Sequence, residues 1–123
     1  MLHRFLSVIF ISLSLLVATT PLSAQSDSEL EEAIAGAMGA MDAFMLGFNA
    51  RAPQAWAASL NYPHVRFASG GVTVWESAEE FAETRAFETL PQTGWDHSHW
   101  LTRDVTLASP AKVHIATLFQ RFN

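Results

Sequence analysis

The segment Gly94–Asn123, "GWDHSHWLTRDVTLASPAKVHIATLFQRFN", decides the fold, and its first seven residues carry most of the chemistry in the chain. Ser109-Pro110 interrupts two runs rich in Val, Ile, Thr, Leu and Phe, which reads as two long strands, about 95–107 and 112–122, joined by a turn. Strands that follow one another so closely pair antiparallel, because a parallel pair needs a crossover of a dozen residues or more. Period-two alternation then puts Trp95, His97, His99 and Leu101 on one face and Asp96, Ser98 and Trp100 on the other. On the same count Trp95 shares its face with Val105 and Leu107 and points inward. Trp100 shares its face with Thr102 and Thr106 and lies on the outer surface.

Upstream, Leu30, Ile34, Met38, Met41, Met45 and Phe48 recur at spacings of three and four, one face of an amphipathic helix reaching about Ala50. Ser28 followed by Glu31 fits a capping box at its start. Asp42 falls off this stripe. Pro53 suits the first turn of a second, short helix to about Leu60, although Ala52 before it is a poor cap. Residues 64–68 alternate, Gly70-Gly71 is a turn, and Val72–Trp75 is the returning strand. Ser77 with Glu80 forms a second capping box opening a helix over about 78–88, and Pro91 and Gly94 break the chain. The order helix, helix, strand, strand, helix, strand, strand predicts an α+β fold with a curved antiparallel sheet.

The chain has 123 residues, half of them hydrophobic and 15% charged, which is a globular composition and one domain's worth of chain. The formal net charge of −5 and the lack of any Lys/Arg run leave no footprint for a nucleic acid. Residues 1–24 read as a secretory signal peptide: a basic start at His3-Arg4, the apolar run Phe5–Val17, Pro21, and small Ala24 at the cut. The run is shorter than the roughly 20 residues that span a bilayer, so the expectation is export, periplasmic or secreted, with no stable membrane anchor after cleavage. The domain is then residues 25–123. With no cysteine, it has neither disulfides nor thiol chemistry.

Three readings of the opening heptad follow. His97-Ser98-His99 can set two imidazoles side by side for a metal, but a catalytic zinc needs a third protein ligand that the sequence does not supply. A histidine beside a carboxylate can instead exchange a proton near neutral pH, yet strand geometry points Asp96 away from His97. Finally, Trp56, Trp75, Trp95 and Trp100 with nine Phe are an aromatic load that most often fills a core or an interface. Arg66, Arg103 and Asp104 read as solvated strand charges or surface pairs of little energetic weight, whereas Arg121 could hold a carboxylate or a developing oxyanion. No nucleophile elbow, phosphate-cradling loop or H-E-x-x-H is present.

The long first helix, Phe48-Asn49, Trp56, Tyr62-Pro63-His64, Trp95 with His97-Ser98, Val113-His114 and "FQRFN" at 119–123 together resemble the nuclear transport factor 2-like superfamily, and within it SnoaL-like bacterial proteins. The resemblance covers about residues 28–123. It implies a cone-shaped (cystatin-like) bent antiparallel sheet wrapped around the N-terminal helix and enclosing a pocket, with two further strands expected beyond Asn123. It also implies an exported domain that binds a small hydrophobic or mixed-polarity molecule, without metal or cofactor, and that forms a homodimer through the sheet. The alternative is a cofactor-independent dehydratase or isomerase with His97 as general base and His64 or Arg121 assisting. Trp95, His99, Arg121, Met45 and Phe48 are the ligand-binding residues that it implies.

Overall fold

The computed structural model describes residues 22–84, 87 and 89–123. The signal-peptide reading falls almost wholly on residues 1–21, outside the described part. The architecture is α+β: α1 (Leu22–Asn49), α2 (Pro53–Ala58), β1 (His64–Ala68), β2 (Gly71–Trp75), α3 (Ala78–Thr84), a 3-10 turn (Pro91–Thr93), β3 (His97–Ser109) and β4 (Lys112–Phe122). The strands form two separate two-stranded antiparallel sheets, β1-β2 and β3-β4, and among the described residues nothing joins them into one bent sheet.

In α1 the predicted stripe faces inward: Leu30, Ile34, Met38, Met41 and Met45 are half-buried and Phe48 is buried. The helix starts earlier than the Ser28 capping box suggests. Neither Pro nor Gly stands between Leu22 and Ser28, so nothing stops the helix from continuing towards its N-terminus, and propensity overrides the cap signal. It ends where Arg51 takes a left-handed conformation (φ 53°) and the Ala52 N–H bonds the Gly47 carbonyl at 3.1 Å, a termination more often given to glycine. The Arg51 guanidinium lies over the Trp95 ring, 5.2 Å from its centre, which ties this corner to the start of the β3 segment. Gly47 is where α2 crosses α1. A Cβ there would sit 2.7 Å from the Trp56 backbone nitrogen.

Two aromatic clusters make up the core. Phe48, Phe87 and Trp95 form one, with Phe44, Met45, Trp56 and Leu90 around them. Ala57, Trp75 and Phe81 form the other, again with Trp56, and with Leu60 and Tyr62. Trp56 therefore bridges them, its ring 4.9 Å from Phe48 and 4.9 Å from Phe81. Tyr62 donates its hydroxyl to the Ala57 carbonyl at 2.9 Å, and burial, then the Glu79 carboxylate, push its phenol pKa upward. Half of the capping box at α3 forms as expected, Ser77 Oγ accepting from the Glu80 N–H at 3.2 Å, while the Glu80 carboxylate reaches one residue further back and accepts from the Glu76 N–H at 2.7 Å.

The faces of β3 differ from simple alternation. Two bulges, at Trp100/Thr102 and Val105/Leu107, each insert a residue opposite the unbroken β4. Each bulge moves the inward parity on by one. Ser98, Trp100 and Arg103 meet α1 through Asn49, Met41 and Asp42, and with Ala108 they are the buried or half-buried positions of the strand. Leu101 and Leu107, expected inside with Trp95, are exposed, and Trp100, expected outside, packs 5.8 Å from Phe44 and donates its indole N–H to the Met41 carbonyl. Trp95 itself is buried, but it precedes the strand and so lies outside its alternation.

Candidate functional site

Between the C-terminal half of α1 and β3 runs an open groove of about 480 Å³, lined by Asp42, Met45, Leu46 and Asn49 on the helix and by residues 99–103 on the strand. The helical wall is one face at i, i+3, i+4 and i+7. The strand wall is five consecutive residues, so the groove follows the backbone edge of β3 as well as its side chains. Leu46 (73% exposed) and Leu101 (54% exposed) give it apolar surface on both sides. Asp42 and Arg103 close one end with an ion pair, the surface pairing that the sequence reading allowed for Arg103, and it joins strand to helix.

Asn49 anchors the other end. Its side-chain carbonyl accepts from the Ser98 N–H at 2.8 Å, and its NH2 donates to the Ser98 carbonyl at 2.7 Å. Ser98 is 1% exposed, and its hydroxyl accepts from the buried Trp95 indole N–H at 2.9 Å. A helix-terminal amide, a strand backbone and an indole thus satisfy one another in a knot with little access to water. The sequence motif Phe48-Asn49 carried this residue, but nothing in it distinguished a backbone clamp from an ordinary helix end. What could have been read is the set 42, 45, 46 and 49, a second helical face with polar residues at both ends.

The residues singled out in the sequence are distributed over four places. Met45 and His99 line the groove. Phe48 and Trp95 are packed against each other in the core at 5.0 Å. Arg121 pairs in register with Ser98 and lies over the Phe119 ring, 5.7 Å from its centre. His64 sits in the second cluster, stacked on Trp75 at 5.7 Å and edge-on to Phe81 at 5.8 Å, on a different sheet from His97.

His97 and Asp96, separated by alternation, meet: His97 Nδ1 and Asp96 Oδ2 are 2.9 Å apart. Alternation fails here because β3 begins at His97, and Asp96 belongs to the preceding irregular chain, whose N–H bonds the Phe122 carbonyl at 2.8 Å. Both side chains are largely exposed and neither lines the groove. His97 and His99 do share a face, as period two requires, but Phe122 lies against both, 4.8 Å from one ring and 4.7 Å from the other. Among the described residues no group of three or more His, Asp or Glu side chains is placed to hold a metal ion. Again among the described residues, no helix is long and apolar enough to cross a membrane. No protein-family model, curated protein or solved structure matches the chain.

Proposed function

We propose that the chain is an exported binding domain of the SnoaL-like, nuclear transport factor 2-like type, and that the α1–β3 groove takes a small molecule of mixed polarity. The observation that carries this reading is the groove itself. Its volume lies in the range of small-molecule sites. Its lining sets Met45, Leu46 and Leu101 against the polar groups of Asp42, His99, Thr102 and Arg103. The long helix laid on an antiparallel hairpin is the part of the cone architecture that supports the family assignment. The sequence of residues 1–24 supports export.

The test is binding of the apolar fluorophore 1-anilinonaphthalene-8-sulfonate to the purified chain and to Leu46→Arg. Enhanced fluorescence that the substitution abolishes is expected. Equal enhancement in both proteins would place the apolar site elsewhere and remove the groove from the argument.

The His97–Asp96 pair favours a second reading, an isomerase- or dehydratase-type enzyme with His97 as base, because a carboxylate can orient an imidazole. It ranks second because the pair faces solvent and lies outside the groove. Once a turnover is identified, His97→Ala with an unchanged rate would eliminate it.

A further inference from the structure

Asn49 does for Ser98 what a neighbouring strand would do. In an antiparallel ladder, every second residue exchanges both its N–H and its C=O with the strand on one side, and the residues between turn theirs to the other side. Both Ser98 backbone groups bond the Asn49 amide, so they point away from β4. Trp100, two residues on and on the same face, turns its N–H and C=O the same way. The bulge at Leu101 hands this role to Arg103, because β4 opposite has no bulge of its own and keeps its phase. Trp100 and Arg103 both line the groove, and among the described residues no strand lies on that side of β3. The groove therefore contains two sets of backbone donors and acceptors in continuation of a pair that Asn49 already satisfies.

We infer that the groove ligand is a neutral, extended run of about four peptide units that adds to the free edge of β3 beside Asn49. The length follows from the span between Asn49 and Asp42, seven helical residues or about 10 Å, which about three extended steps of about 3.3 Å cover, and three steps join four units. Neutrality follows from the walls, because Asp42 and Arg103 already compensate each other and leave no opposite charge for a free terminus. Apolar side chains of such a run would meet Leu46 and Leu101, the exposed surface on either wall. This inference rests on the groove being the ligand site, and it narrows that ligand to one chemical class.

The probe is N-acetyl-Val-Thr-Val-Thr-amide, titrated into the purified full chain while backbone amides are followed by NMR. Shifts and slowed hydrogen exchange at the Trp100 and Arg103 N–H groups are expected. The same peptide N-methylated at its central residues should bind about tenfold or more weaker, since two backbone hydrogen bonds are removed. Arg103→Pro deletes the groove-facing N–H together with the side chain that pairs with Asp42, and leaves the β4 ladder intact. It should weaken peptide binding well beyond Arg103→Ala, which loses the side chain alone, so the difference between the two variants reads the backbone hydrogen bond. A peptide with free termini should bind no more tightly than the blocked one. Equal affinity of the methylated peptide, tighter binding of the free-terminus peptide, or fluorophore binding in the groove with no peptide binding would each overturn the inference and leave the groove reading standing. If the fluorophore signal is also insensitive to Leu46→Arg, both fall.

Discussion

Replacing Asn49 by alanine should be one of the most damaging polar substitutions in this chain. It removes two hydrogen bonds of 2.7 and 2.8 Å to the backbone of Ser98, a residue only 1% exposed. A buried backbone N–H or C=O left without a partner costs about 1–3 kcal/mol, and the open groove lets water recover part of that, so the pair amounts to about 2–4 kcal/mol. Against the 5–15 kcal/mol typical of a small domain, this is a large share of the total. In urea, with a slope of about 1.5 kcal/mol/M, the unfolding midpoint should fall by about 2 M with the slope unchanged. Asn49→Asp should be no milder, because a carboxylate keeps the acceptor for the Ser98 N–H but faces the Ser98 carbonyl with a second acceptor. Equilibrium urea unfolding followed by tryptophan fluorescence measures both. A loss below about 0.5 kcal/mol for Asn49→Ala, the size of an ordinary surface change, would refute the clamp and the edge argument built on it.

The glycines of α1 should respond with opposite signs. Gly47→Ala drives a Cβ to 2.7 Å from backbone and should cost about 1–3 kcal/mol, whereas Gly36→Ala and Gly39→Ala meet nothing within 4 Å and should each add up to about 1 kcal/mol of helix propensity in the same assay. Trp56→Ala empties the contact between the two aromatic clusters and should destabilise by about 3–5 kcal/mol, with loss of near-ultraviolet dichroism. Glu79, whose carboxylate accepts from its own backbone N–H and from Ser77, has a folded-state pKa held below the ordinary carboxylate value. Its contribution to stability is therefore present above the unfolded-state pKa and lost as pH falls through the lower folded-state pKa. Glu79→Gln should flatten the acid limb of stability against pH, and an unchanged limb would count against that hydrogen bonding. If the chain self-associates through a sheet surface, the exposed face of β1-β2 that carries Phe67 and Val72 is the place to perturb. Phe67→Asp should then shift sedimentation at high concentration towards a monomer.

The elements and their class follow from local patterns along the chain. The three-and-four spacing from Leu30 to Phe48 has only one face to bury, Pro53 can start a helix but not continue one, and Ser109-Pro110 between two β-rich runs admits little besides a hairpin. Local rules suffice where a residue's preference depends on its neighbours in the chain, which is why the Ser77–Glu80 cap was legible. They failed at the heptad from Gly94. Period-two counting assumes an unbroken strand that starts where the pattern starts. In the fold the strand starts two residues later, at His97, and bulges twice, so Asp96 folds onto His97, Leu101 turns out and Trp100 turns in. Tertiary structure alone decided that Asn49 would meet Ser98, 49 residues away, and that Asp42 would meet Arg103, 61 residues away. Those contacts depend on how a helix end and a strand edge are placed in space, and no spacing along the chain encodes that placement.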